Sequence, residues 1–210
     1  MTTTSVPTPA RPVKREEPEW VVVAVVVVAL LIGWMLKNQV ESRTVTFSVP
    51  ALSLNYPATW FRELNPDDGD AILGVTDLGS GSSYRSRVTV RTIEALPQLA
   101  RMDDDAASAT AAVTAWTFQR SQELDGYRLL STKSTELDGH RGVRINYAYV
   151  SDPIASPYRK ALPVVVEAVD YLFPVGDQTI VITTAAAGTQ FEQESQRFAT
   201  ILSSVDFGGK

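Results

Sequence analysis

Any serine-type hydrolytic site in this chain would need His140 as its base, because it is the only histidine. It directly follows Leu137-Asp138-Gly139, and an Asp-Gly pair between two alternating runs is a hairpin turn. His140 is therefore expected in a solvent-facing turn, a poor place for a base. Gly79-Ser80-Gly81-Ser82-Ser83 offers a nucleophile, but its glycines flank Ser80 directly, unlike a G-x-S-x-G elbow. The same run begins as G-x-G, yet Tyr84 stands where a dinucleotide fingerprint has its third glycine, and no helix follows. A flexible surface loop is the expectation for Leu78–Ser83.

Two acidic clusters carry the hard oxygen ligands that divalent cations take. Asp67, Asp68 and Asp70 lack the alternating spacing of a calcium loop and its distal glutamate, so solvated turn carboxylates are expected. Asp103-Asp104-Asp105 precedes an alanine-rich run, where it is expected to cap a helix and complement its dipole. The absence of cysteine excludes disulfides, thiolate catalysis and iron–sulfur ligation. These readings add up to a chain expected to be non-catalytic, with no metal and no cofactor. Tyr147, Tyr149, Tyr171, Trp60 and Trp116 recur at strand or helix period and are expected in the core. Tyr158 differs, because it lies in the proline-flanked segment Ser151–Ala161 beside Arg159 and Lys160. Tyr and Arg are favoured interface anchors, so Ile154, Tyr158, Arg159 and Lys160 are the candidate partner contacts.

The elements around these residues begin with an apolar stretch, Trp20–Leu36, WVVVAVVVVALLIGWML, which has no charge and no proline. As a helix it is about 25 Å long, close to a hydrocarbon core of about 30 Å. Trp20 and Trp34 suit the headgroup zones, Val25 and Leu30 the acyl chains, and Gly33 is the one small break. In lipid the poor helix propensity of valine matters little, since a helix satisfies its backbone internally. Residues 1–19, rich in Thr and Pro, are expected to be disordered. Lys37-Asn38-Gln39-Val40-Glu41 shows no small-x-small cleavage site, so a retained signal-anchor is expected, followed by a 37–43 linker. Arg11, Lys14 and Arg15 precede the stretch, against Lys37 and Arg43 after it. That bias, with the short tail, places the N-terminus in the cytoplasm and the C-terminal domain outside a cell membrane.

The net charge is −5. Arg11, Lys14 and Arg15 balance Glu16, Glu17 and Glu19, so the acidic excess belongs to the outer domain. A mildly acidic domain without a basic stripe argues against nucleic acid as a partner and against a patch drawn to anionic lipid.

Within 44–207 the pattern reads β-β-β-β-α-β-β-β-β-α. Thr44–Val49, Leu52–Tyr56 and Ala71–Thr76 read as strands, with Trp60-Phe61 as bulky apolar mass between the last two. Arg85–Glu94 alternates, Val88, Val90 and Thr92 on one face and Arg87, Thr89 and Arg91 on the other. Ala106–Gln122 places Ala109, Val113 and Trp116 on one helical stripe, with Ala112 beside them. Tyr127–Glu136 with Arg141–Val150, and Leu162–Phe173 with Gln178–Ala186, form hairpins. A last helix keeps Phe191, Ser195, Phe198, Ile201, Leu202 and Val205 on one face with Gln and Glu opposite, behind a Thr189/Glu192 capping box. This order implies an α+β domain, an antiparallel sheet covered by helices.

Leu54-Asn55-Tyr56-Pro57-Ala58-Thr59-Trp60 resembles the early Y-P-x-x-W segment of PsbP-like domains. The Asp138-Gly139 turn before Val143–Tyr149 and the terminal Phe191…Phe198…Ile201-Leu202-Ser203-Ser204-Val205 continue the resemblance over most of 56–207. That superfamily includes the extrinsic lumenal subunit of photosystem II, a Ran-binding import factor and many bacterial membrane-attached domains, mostly non-catalytic modules on larger assemblies. The resemblance implies an accessory or assembly subunit of a membrane complex, photosynthetic or respiratory, lumenal in the former case. Its partners would be the lipid bilayer and other subunits. This chain departs from the plant protein in having its own apolar helix and one histidine, so no metal-linked residue carries over. The rival expectation is a tethered enzyme or small-ligand binder with a cleft between sheet and helix.

Overall fold

A valine-rich segment that would make a weak helix in water is helical throughout its length. In the computed structural model, which describes residues 19–41, 43–63, 71–96, 99, 106–152 and 162–208, α1 (Glu19–Glu41) contains the whole apolar stretch. The span Trp20–Lys37 is long and apolar enough to cross a membrane and none of it is buried. The chain divides into two units between Ser42 and Arg43.

The second unit opens with a hairpin of β1 (Thr44–Val49) and β2 (Leu52–Pro57), which forms its own two-stranded sheet. A seven-stranded sheet follows, built from β3 (Phe61–Glu63), β4 (Ala71–Thr76), β5 (Arg87–Glu94), β6 (Arg128–Leu137), β7 (His140–Ser151), β8 (Val164–Val175) and β9 (Gln178–Ala187). Its order is β3-β4-β5-β9-β8-β7-β6, and every neighbouring pair is antiparallel. Among the described residues two long helices cover it, α2 (Ala106–Glu123) and α3 (Phe191–Ser203). The expected α+β class is what the chain adopts. Strand β3 went unread because three residues are too few to show a period; Phe61 nevertheless pairs with Thr76.

Strand β9 lies at the centre and is buried on both faces, so alternation along it assigns residues to two cores. Ile180 and Ile182 join Val88, Val90, Trp60 and Phe198 in the core beneath α3 and the β1–β2 hairpin. Val181 and Ala185 join Ile145, Tyr147, Leu172 and Trp116 in the core beneath α2. The hairpin is fastened by the C-terminal segment: Ser53 and Asp206 exchange backbone bonds of 2.8 and 2.9 Å.

The Asp-Gly turn is formed as expected, with positive φ at Asp138 (48°) and Gly139 (76°) and Leu137 opposite His140. Gly142 on β7 is required for another reason: a Cβ there would run into the Leu172 carbonyl and the Phe173 ring.

Two expectations for the last helix fail. The capping box does not form: Gln190 is the N-cap, without a side-chain cap bond, because its N–H closes a turn onto the Ala187 carbonyl (2.8 Å) and the helix starts one residue later. Glu194 is not on the solvent side but buried, four residues from Phe198 and seven from Ile201 on the packed face, where Arg197 bonds it at 3.3 Å. Arg197 also bridges to Asp77 (3.1 Å), whose other oxygen accepts the Gly79 N–H (2.8 Å). The loop expected to be free at Leu78–Ser83 is thus held at its start, and Tyr84 at its end is buried.

Candidate functional site: a buried aspartate beneath α2

The most elaborate chemistry in the domain is centred on Asp170, in the middle of β8 and fully buried. Alternation turns Asp170 to the α2 side, with Ala168 and Leu172. An ion placed there must be hydrogen-bonded throughout or it would be expelled or neutralised. Both oxygens are engaged twice. Oδ1 accepts from the Tyr147 hydroxyl (3.0 Å) and the Thr183 hydroxyl (2.7 Å), and Oδ2 accepts from Trp116 Nε1 (2.8 Å) and Arg120 Nε (3.1 Å). The donors come from β7, β9 and α2, so the carboxylate joins two strands to the helix above it.

Arg120 completes the cluster. Its Nη2 donates to the Tyr147 hydroxyl (3.1 Å) and its Nη1 to Glu123 Oε2 (2.9 Å) at the protein surface. Burial works against the Arg120 charge, but Asp170 beside it more than offsets this and keeps the guanidinium protonated. Burial likewise pushes the Asp170 carboxyl upward, and the Arg120 charge with the converging donors outweighs it, holding Asp170 below the usual carboxylate range. Tyr147 is driven well above the ordinary phenol value, by burial first and then by the Asp170 charge.

Around this pair lies a shell of π and cation contacts. The Arg91 guanidinium lies 5.0 Å from the Trp116 ring centroid, and the Arg120 guanidinium lies 5.5 Å from that same ring and 5.8 Å from the Tyr147 ring. Tyr127 and Tyr147 pack at 5.1 Å, and the Tyr84 and Tyr149 hydroxyls meet at 2.7 Å. Burial, with the charge of Asp170, pushes the Tyr127 phenol up to about 12. The side-chain nitrogens Nε and Nη2 of Arg91 and the Tyr127 hydroxyl are buried without a hydrogen-bond partner. With four donors already on Asp170, the arrangement offers a positional lock for α2 rather than an open acceptor.

Sequence reading missed this cluster. The signals were an aspartate inside the apolar run Val164–Val175 and an arginine four residues after Trp116 on the apolar stripe of α2. Arg91, read on the face of β5 opposite Val88 and Val90, is buried against the Trp116 ring of α2. Trp60, Trp116, Tyr147 and Tyr149 are core residues as expected, and Tyr171 is partly buried.

Of the other sites anticipated, Trp20, Val25, Leu30 and Trp34 stand exposed on α1, and Gly33 faces open space. Ile154, Tyr158, Arg159 and Lys160 lie outside the described residues, as do Asp67, Asp68, Asp70 and Asp103–Asp105. His140 opens β7 beside the turn, its ring 4.9 Å from Phe207 and its Nδ1 3.2 Å from the Asp138 carbonyl. A groove of about 300 Å³ runs between α3 and the sheet, lined by Arg144, Tyr171, Thr184, Ser195, Gln196 and Phe198. Among the described residues, no three His, Cys, Asp or Glu side chains are grouped to hold a metal ion.

No protein-family model matches the chain, and no curated protein sequence matches it. Solved structures do. The solution structure of cyanobacterial PsbP (CyanoP) from Synechocystis is 14% identical, with a TM-score of 0.51 over 79% of this chain and 91% of that one. LpqN of Mycobacterium tuberculosis, described as involved in cell envelope biogenesis, is 11% identical with a TM-score of 0.46, over 78% of this chain and 89% of LpqN. The Saccharomyces cerevisiae Ran-binding protein Mog1p is 9% identical with a TM-score of 0.47, over 79% and 96% respectively. The likeness to the cyanobacterial protein shows a PsbP-like fold.

Proposed function

We propose that this chain is a single-pass membrane protein whose PsbP-like domain acts without catalysis as an accessory or assembly subunit of a larger membrane complex. The observation that carries the reading is α1: an unburied apolar helix, followed after Ser42 by a domain with two filled cores. A soluble chain would bury such a surface; a bilayer supplies the missing solvent. The N-terminus is cytoplasmic, the domain extracytoplasmic, and the complex photosynthetic or respiratory. Partners are met through α1 and the outer domain.

A tethered ligand binder with a cleft between sheet and helix is the weaker reading. The groove beside α3 is open, and the best-organised polar cluster, at Asp170, is on the other face of the sheet with its acceptors filled.

The test is carbonate extraction of native membranes, then native electrophoresis of a mild-detergent extract with N-terminal sequencing of the recovered chain. The reading expects an uncut polypeptide that resists carbonate and migrates in one reproducible high-mass band. A chain beginning after Leu36, or one found only as a monomer, would overturn it.

A further inference from the structure

The domain's uncovered apolar side chains are gathered at one end of the sandwich. Strand registers define that end. The chain enters at Arg43, whose carbonyl accepts the Ala58 N–H (2.8 Å), and Thr44 opposes Pro57. Phe61 then starts β3 opposite Thr76, Thr76 opposes Arg87, and Arg87 opposes Ala185. Farther across, Ala187 opposes Val166, Val150 opposes Val165, and Arg128 opposes Ala148. The opposite end holds the turns at Val49–Leu52, Leu137–His140 and Val175–Gln178.

Phe61 (53% exposed), Leu78, Leu129, Val150, Leu162 (85%) and Val165 (60%) all lie at or beside the Arg43 end. Val45 and Leu130, also exposed, follow Thr44 and Leu129 directly at the same end, and among the described residues of the domain Ile72 and Phe118 are the exposed large apolar side chains elsewhere. The opposite end shows Glu94, Glu136, Asp138 and Asp177 to solvent. Seven residues separate Leu36 from Thr44, a reach of at most about 25 Å. The apolar end is also the end at which the chain enters the domain, at Arg43. Its charges are mixed, with Arg43, Arg85 and Arg128 alongside Asp125 and Asp152, so an apolar contact is favoured over an electrostatic one.

We propose that the Arg43 end of the domain rests on the lipid surface, with Phe61, Leu78, Leu162 and Val165 at the boundary between headgroups and acyl chains. This rests on the reading of α1 as a retained anchor. It adds a second, weaker membrane contact that fixes which face of the domain is left for other subunits.

The absence of cysteine makes the test direct. The full chain is reconstituted in phosphatidylcholine vesicles with single fluorophore-labelled cysteines at Leu78, Leu162, Glu94 or Asp177, and quenched with nitroxide-headed lipid. The Leu78 and Leu162 labels should be blue-shifted and quenched at least about threefold more than the other two, for an apolar interfacial contact. The difference should survive about 0.5 M salt, where surface charge attraction is screened. If the chain floats with the vesicles but all four labels stay equally in water, this inference fails and the anchor stands. If the chain does not float, both fail. Labels shielded in native membranes but not in pure lipid would assign this end to a protein subunit and overturn the lipid contact.

Discussion

The two faces of the central sheet are covered in different ways. Under α3 and the hairpin the contacts at the sheet are apolar, such as Trp60 meeting Phe198 edge-on at 6.3 Å and Phe198 beside Phe191 at 5.8 Å. Under α2 an aspartate, an arginine and an indole N–H are held within 3.1 Å of one another's acceptors and donors. Apolar filling is non-directional and tolerates sliding, whereas four donors on one carboxylate define a single position of the helix. α3 is thus held mainly by area, with the Arg197–Asp77 bridge at its edge, and α2 by geometry. α2 has less apolar stripe to offer: Arg120 occupies a turn of it, and Phe118 points to solvent.

The comparison can be broken most severely at Asp170. Asp170→Ala leaves Arg120 buried without its partner and should cost about 3–5 kcal/mol in chemical unfolding of the full chain. A loss below about 1 kcal/mol would show that α2 does not depend on the cluster. Phe198→Ala on the other face should cost about 3–4 kcal/mol through lost burial and the cavity left behind. The two should be separable by fluorine NMR of fluorotryptophan-labelled protein, since Trp116 reports the α2 face and Trp60 the α3 face. Trp116→Phe, which keeps the ring but removes one Asp170 donor, should cost about 1–2 kcal/mol and leave the Trp60 signal unshifted.

Acid sharpens the same contrast with a smaller effect. Asp170 has a folded-state pKa below its unfolded value. Its stabilisation is therefore fully present above the unfolded value of about 3.9 and is lost as pH falls through the lower folded value. Below about pH 4 the Trp116 signal should respond before that of Trp60, and Asp170→Asn should remove the early response. Simultaneous movement of both signals would contradict it. The smallest expected change is Glu123→Gln: its carboxylate is partly exposed and bonds Arg120 at the rim, so a loss under about 1 kcal/mol is expected in the same unfolding measurement.

Much of the architecture was legible because its signals are local. The Asp138-Gly139 turn, the alternation from Val143 to Tyr149 and the apolar face of α3 follow from backbone sterics and side-chain period within a few residues. Where the reading erred, a non-local contact decided. Arg91 was placed only on the face of β5 opposite Val88 and Val90, and its burial shows once α2 lies on that face; Glu194, read among the polar residues of α3, is buried on the packed face. The Asp170 cluster was not read at all, since its donors come from positions 13 to 54 residues away. Tyr158 and its neighbours, the site favoured from sequence, lie outside the described residues.

An apolar span of membrane length, the strands other than β3, the helices and the hairpin turns were readable from sequence, because each depends on chemistry within one stretch of chain. How those hairpins and the remaining strands are ordered in the sheet was settled by the folded structure, and with that which side chains meet Asp170 and which are left uncovered at the Arg43 end. Those outcomes follow from the pairing of β5 with β9 and of β8 with β7, across separations where no periodicity extends.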